Sequence, residues 1–105
     1  MLMRKTILIT GASSGLGEHM ARIFARMGRD LALCARRVEL LDTLKAELIA
    51  KHPNIRISVR ALDVNEHEQV FEVFHAFAQD LGALDRVIIN AGQGKGQAIG
   101  TGWFF

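Results

Sequence analysis

The chain has 105 residues, half of them hydrophobic and 23% charged, a balance typical of a single globular domain. Its net charge of +2 is small and its basic residues are scattered along the sequence, which gives no support to nucleic acid binding. No apolar run approaches the ~20 residues of a transmembrane helix and no signal peptide is visible. We therefore expect a cytoplasmic protein with neither a nucleic acid nor a membrane partner.

The first predicted elements are a buried strand over residues 6–9, a glycine-rich turn and a helix over about residues 15–27. Such a turn puts free backbone N–H groups and the positive end of a helix dipole at one point, which suits a diphosphate. Gly11 allows the tight turn, Gly15 lets the backbone approach the phosphates, and Gly17 lets helix and strand pack closely. The candidate phosphate-binding residues are Gly11, Ser13, Ser14, Gly15, Leu16 and Gly17. The apolar residues at helical spacing, which we expect to form the inner face of the helix, are Leu16, Met20, Ile23, Phe24 and Met27.

A second strand is predicted over residues 31–35, and it ends at Arg36 and Arg37. Dinucleotide-binding folds that prefer NAD carry an acid at this point, whereas here Asp30 lies at the wrong end of the strand. The two guanidinium groups can instead meet a 2′-phosphate, which favours NADP over NAD. The alternative is a solvated arginine pair that only opens the next helix, which is predicted over residues 38–51 with Leu41, Leu44 and Leu48 inward.

The third strand, over residues 55–62, leads into Asp63 and Val64. Asn65 is predicted to cap the next helix with Glu68 closing a capping box, and the helix ends at Gly82. Its inner face is expected to consist of Val70, Phe74, Phe77 and Leu81. A fourth strand, over residues 86–89, runs into Asn90, Ala91 and Gly92. The glycine-rich stretch 93–105 is expected to be a mobile loop and a truncated end.

Alternating buried strands and amphipathic helices predict an α/β fold with a doubly wound, Rossmann-like parallel sheet. We expect four strands in the order 3-2-1-4 and three helices, with a ligand crevice at the carboxyl ends of strands 1 and 4. The fourth strand would then be an apolar edge of the sheet.

The Thr10-Gly11-x-x-x-Gly15-x-Gly17 turn resembles the cofactor turn of the short-chain dehydrogenase/reductase family. Asn90-Ala91-Gly92 resembles the N-A-G motif of the family, in which the asparagine steadies the sheet and the small residues let the adenosine lie close. The resemblance implies that Asp63 accepts a hydrogen bond from the adenine amino group, with the backbone of Val64 nearby. It also implies an NADP cofactor and interconversion of an alcohol and a carbonyl compound by hydride transfer.

The catalytic part of the family pattern has no counterpart here, because the chain contains no tyrosine for the Y-x-x-x-K motif. The family's asparagine, serine, tyrosine and lysine would lie beyond Phe105. We therefore expect residues 1–105 to be the N-terminal part of one NADP-binding domain, inactive alone and part of a homo-oligomer when complete. Two alternatives are a non-catalytic nucleotide-binding or regulatory module and a flavodoxin- or receiver-like domain, although a receiver domain needs an acidic pocket rather than glycines and arginines.

Neither the cysteine nor the histidines predict a metal site. Cys34 lies within the second strand and is expected to be a buried thiol in a reducing compartment. His67-Glu68 begins like a zinc-protease helix, but Phe71 stands where the second histidine would be needed.

Overall fold

The computed structural model describes residues 5–13, 15–63, 66–82, 84–90 and 101–104. Strands and helices alternate along the chain up to the fourth strand, as the sequence pattern predicts. The elements are β1 (Thr6–Thr10), α1 (Gly15–Arg26), β2 (Asp30–Ala35), α2 (Val38–Lys51), β3 (Ile57–Ala61), α3 (His67–Leu81), β4 (Arg86–Asn90) and β5 (Thr101–Phe104).

The sheet has the strand order β3-β2-β1-β4-β5, so the predicted order 3-2-1-4 and the Rossmann-like fold class are confirmed. The first four strands are parallel to one another. The fifth strand was not predicted: β5 pairs antiparallel with β4 across Ile89 and Gly102. This pairing corrects two expectations, because part of the stretch 93–105 is a strand and β4 is not an edge of this sheet. Residues 93–100, also assigned to the mobile loop, lie outside the described residues.

The core has two layers, one on each face of the sheet. Ile7, Ile9, Leu31 and Leu33 point to the face covered by α1 and α2, while Leu8, Ala32 and Cys34 point to the face covered by α3. This alternation is the period-two pattern of a strand buried on both sides.

The inner face of α1 differs from the prediction. Its buried residues are Gly17, Ala21 and Ala25, whereas Leu16 and Met27 are 37% and 54% exposed. The three small residues are spaced by four and lie on one side of the helix, so that α1 approaches the sheet closely. Partly buried Met20 and Phe24 pack around the margin of this contact.

The other two helices follow their patterns more closely. The bounds of α2 and its buried Leu41, Leu44 and Leu48 are as predicted. Helix α3 begins at His67 rather than Asn65, and its N-cap position is Glu66, whose side chain makes no capping hydrogen bond. The predicted cap residue Asn65 lies outside the described residues. Gly82 follows the last turn with φ +88°, as expected for a glycine that ends a helix.

The amino ends of the strands are held together by polar contacts. Asp30 is 1% exposed and accepts hydrogen bonds from the backbone N–H, Nε and Nη2 of Arg56, while Nη2 also donates to the carbonyl of Leu81. Asp85 accepts a hydrogen bond of 2.7 Å from the N–H of Thr6. These contacts join the starts of β2 and β3 to the end of α3, and the start of β1 to that of β4.

Candidate nucleotide-binding site

The register of the parallel strands brings the four sequence motifs to one edge of the sheet. Thr10 lies beside Cys34, Ala35 beside Ala61, and Ile9 beside Ile88. The glycine turn, the arginine pair, the aspartate after β3 and the asparagine at the end of β4 therefore all lie at the carboxyl edge. In doubly wound sheets this edge is where ligands bind.

The turn after β1 is built on two residues with left-handed backbone, Gly11 at φ +63° and Gly15 at φ +59°. Ala12 between them is fully buried, and its N–H donates to the carbonyl of Cys34 over 3.2 Å. This bond fixes the turn to β2 and was not anticipated from the sequence. A Cβ added to Gly15 would meet no atom within 4 Å, so the space beside this backbone is open.

Helix α1 begins at Gly15, which places its positive dipole end and its first N–H groups at this turn. Gly17 is buried against the sheet, in agreement with the predicted close packing, while Leu16 on the same turn is partly exposed. Ser13 is half-buried, and Ser14 lies outside the described residues. The turn thus has features that suit a diphosphate: a helix N-terminus, whose first N–H groups have no partner within the helix, and a left-handed glycine with open space beside it among the described residues.

Arg36 and Arg37 follow β2 immediately, and both are exposed. Arg37 occupies the N-cap position of α2 without a capping side-chain bond. Neither guanidinium group makes a hydrogen bond or an ion pair within the described part of the chain. These two cations, which have no carboxylate partner among the described residues, lie one strand away from the glycine turn and are available to an anionic ligand.

Asp63 lies just past β3 and is partly exposed. Its N–H donates to Oε1 of Gln69 over 2.9 Å, and its carbonyl accepts the N–H of Glu66, so two bonds fix its backbone. The sequence did not suggest this contact, because a glutamine in the first turn of a helix, six positions after the aspartate, carries no recognisable signal. Asn90 ends β4. Of the remaining predicted residues, Val64, Ala91 and Gly92 lie outside the described residues.

Cys34 lies inside the sheet beside Thr10, directly behind the turn. The thiol is fully buried, as predicted, with Sγ 3.8 Å from the carbonyl oxygen of Ile9. Burial raises the pKa of Cys34 to about 12, so this thiol is a packing group rather than a nucleophile. Among the described residues, no group of three histidine, cysteine, aspartate or glutamate side chains is placed to hold a metal ion.

A parallel sheet in this order, with a glycine turn leading into α1 at its carboxyl edge, defines the class of Rossmann-like domains. Residues 5–101 match the family model of the short chain dehydrogenases, and the chain belongs to that family. A protein of Mycobacterium tuberculosis (strain H37Rv), named an uncharacterized oxidoreductase, is 60% identical over 99 residues. That match covers 94% of this chain and 39% of the relative, so the chain spans about two fifths of its length.

Solved structures agree with this assignment. L-sorbose reductase from Gluconobacter frateurii, in complex with NADPH and L-sorbose, superposes with a TM-score of 0.81 at 33% identity, covering 92% of this chain and 36% of that one. An alcohol dehydrogenase from the archaeon Thermococcus sibiricus, in complex with 5-hydroxy-NADP, superposes with a TM-score of 0.78 at 38% identity, covering 81% and 36%. No helix in the described ranges is both long and apolar enough to cross a bilayer.

Proposed function

We propose that this chain is the adenosine- and diphosphate-binding part of an NADP(H)-dependent oxidoreductase that interconverts an alcohol and a carbonyl compound. The observation that carries the proposal is the pair Arg36 and Arg37, exposed and without partners among the described residues, at the same sheet edge as the glycine turn. The acid that would select NAD is not at the end of β2: Asp30 is buried at the opposite edge and bonded to Arg56.

Each residue has a defined part in this proposal. The helix N-terminus at Gly15 and the Ser13 hydroxyl bind the diphosphate, and Arg36 and Arg37 bind the 2′-phosphate of the adenosine ribose. Asp63, held by Gln69 and Glu66, accepts the adenine amino group. Ser14, Val64, Asn90, Ala91 and Gly92 complete the predicted set. When bound, the cofactor supplies or accepts the hydride.

The chemistry itself requires residues that this chain does not contain. No tyrosine is present to pass a proton to or from the substrate oxygen. The two NADP(H)-bound neighbours act on a sugar and an alcohol according to their names, and each is more than twice as long as this chain. A small alcohol or carbonyl substrate is therefore proposed for a protein of the relatives' full length. The absence of tyrosine favours, as a second candidate for these 105 residues, nucleotide binding without turnover.

The test is a fluorescence titration of the 105-residue chain with NADPH and with NADH. Loss of a charge-assisted contact costs about 1.5–3 kcal/mol, so Arg36→Ala should weaken NADPH binding by roughly 10- to 100-fold and leave NADH nearly unchanged. Arg36→Lys should restore only part of the affinity, because lysine lacks the planar fork.

Lys45→Ala is the matched control, since it removes a cation from α2 away from the carboxyl edge. Competition by 2′,5′-ADP but not by 5′-AMP would localise the effect to the 2′-phosphate. An equal loss of NADPH and NADH affinity in Arg36→Ala would overturn the phosphate assignment.

A further inference from the structure

The fold collects basic residues at the amino edge of the sheet, opposite the nucleotide site. Lys5 precedes β1, Arg29 precedes β2, Arg56 precedes β3, and Arg86 begins β4. The strand pairing places them side by side, because the N–H of Asp30 donates to the carbonyl of Lys5 and the N–H of Leu31 to that of Arg56. Arg26, in the last turn of α1, adds a fifth cation. We call Lys5, Arg26, Arg29, Arg56 and Arg86 the basic edge.

The basic edge carries more positive charge than the chain as a whole. Its five cations face two carboxylates, Asp30 and Asp85, giving a local net charge of +3 against +2 for all 105 residues. Asp30 is buried and already bonded to Arg56, which itself stays exposed. The side chains of Lys5, Arg26 and Arg29 make no hydrogen bond or ion pair with other described residues.

An exposed methionine lies in the chain between two of these cations, Arg26 and Arg29. Helix α1 ends in the turn Arg26-Met27-Gly28-Arg29, which closes through bonds from the N–H groups of Gly28 and Arg29 to Ala25 and Phe24. Met27, within this turn, is 54% exposed. Its thioether chain is flexible and apolar, and is thus suited to enter an apolar layer.

We propose that the basic edge is a docking surface for an anionic phospholipid bilayer, with Met27 inserted between the headgroups. Cations beside a bilayer each add to the attraction of anionic lipids, and an apolar side chain between two of them adds a short-range contact. A nucleic acid or an acidic polypeptide would bind the cations, but neither offers an apolar layer for the exposed methionine. When the basic edge faces the bilayer, the carboxyl edge faces away from it, because it is at the other end of the strands.

The proposal departs from the expectation drawn from the sequence, which gave the chain no membrane partner. In the sequence, successive members of this set are up to 30 positions apart, so the five cations form no cluster there. Only the parallel register brings them to one edge, because every strand of a parallel sheet starts at the same side.

The experiment is co-sedimentation of the 105-residue chain with vesicles of phosphatidylcholine alone and of an equimolar mixture with phosphatidylglycerol. Binding is expected only to the mixed vesicles and should fall steeply with added salt. Each cation removed should lower partitioning about fivefold, so R26Q/R29Q should lower it by roughly 25-fold. Met27→Ser should also weaken binding, and its residual binding should be lost at lower salt than that of the wild type.

Lys45→Gln is the control for Arg29→Gln, because it removes one charge from α2 outside the basic edge. Circular dichroism of each variant reports that the fold is retained. An equal loss in Lys45→Gln and Arg29→Gln, or no binding to mixed vesicles, would overturn the proposal. Equally tight binding to duplex DNA or to polyglutamate, unaffected by Met27→Ser, would assign the edge to another polyanion and also overturn it.

Discussion

Gly15 shows how a single backbone conformation can serve a binding site. At φ +59° it lies in the left-handed region, which side-chain-bearing residues rarely adopt, and no atom of the described residues comes within 4 Å of an added Cβ. A substitution there would be strained, and the new side chain would point into the space proposed for the diphosphate. In the proposed function, the glycine therefore serves the ligand rather than the packing of the fold.

Gly15→Val is expected to abolish binding of both NADPH and NADH while the fold survives. The strain should cost about 1–3 kcal/mol of stability, and the branched side chain should occupy the diphosphate position. Fluorescence titration measures the affinity and circular dichroism the fold. Gly28→Val is the control, because Gly28 is also left-handed (φ +82°) with open space but lies at the opposite edge. Undiminished affinity in folded Gly15→Val would place the nucleotide elsewhere.

The ion pair between Asp30 and Arg56 is a second feature of single residues, and we expect it to stabilise the fold. Arg56→Ala removes two side-chain donors from the buried Asp30 carboxylate and one from the Leu81 carbonyl. Because the guanidinium group is partly solvated, we expect a loss of about 1–3 kcal/mol in the free energy of unfolding, measured by urea denaturation. Arg29→Ala at the same edge, where the side chain has no such bonds, should change it by less than about 0.5 kcal/mol. Equal losses of stability in Arg56→Ala and Arg29→Ala would contradict a stabilising role of the ion pair.

At the scale of elements, α1 and α2 are joined by a network of charged side chains. Arg22 donates to Glu18 on its own helix and to Glu47 on α2, and Glu47 also accepts from Lys51. The hydrogen bond from Arg22 lowers the pKa of Glu47 to about 2 from an ordinary value of 4.5, with Lys51 contributing in the same direction. The two helices lie on the same face of the sheet, and this partly exposed network links them side by side.

The pH dependence of stability follows from that shift. Because the pKa of Glu47 is lower in the folded state, its contribution is complete above about pH 4.5 and is lost as the pH falls towards 2. Urea denaturation at a series of pH values should show Glu47→Gln to be less stable than wild type at pH 7. The difference between the two should shrink below pH 4.5. Glu72→Gln, which alters an exposed carboxylate on α3, is the control and should show a smaller difference; a constant gap for Glu47→Gln down to pH 2 would contradict the assignment.

At the scale of the whole molecule, the two faces of the sheet are unequally covered. Among the described residues, two helices pack on one face and one on the other, where Phe71 of α3 is 77% exposed. The carboxyl edge, by contrast, is complete on three strands: the glycine turn follows β1, the two arginines follow β2, and Asp63 follows β3. In the proposed function, cofactor binding depends on elements that this chain contains, whereas proton transfer would require a tyrosine, and the 105 residues include none.

We therefore expect the 105-residue chain to bind NADPH without consuming it. Carbonyl-dependent loss of NADPH absorbance should be undetectable with aldehyde or ketone substrates. NADPH at 100-fold excess over its Kd should still stabilise the fold by about 2.7 kcal/mol, seen as a rise in Tm. NADH at the same concentration should raise Tm less. Steady turnover, or a Tm unaffected by NADPH, would contradict the division of roles.

The sequence by itself determined the features that depend on local chemistry. The bounds of α2, its three inward leucines and the glycine at the end of α3 follow from helical periodicity and capping rules. The alternation of buried strands and helices indicates a parallel sheet, and the glycine turn after the first strand favours the order 3-2-1-4 of dinucleotide-binding folds. Parallel strands bring the four motifs to one edge, since each motif lies at the end of a strand or directly after it.

Only the tertiary structure decided the features that depend on neighbours distant in sequence. Helix α1 turns Ala21 and Ala25 inward rather than Leu16 and Met27, because close approach to the sheet outweighs the burial of larger side chains. Buried Asp30 pairs with Arg56, which directly precedes the neighbouring strand β3. The five cations that are far apart in the sequence come to lie along one edge of the sheet. Hydrophobic periodicity predicts structure within one element at a time. Charge and packing act between elements, and the parallel register decides which of these lie side by side.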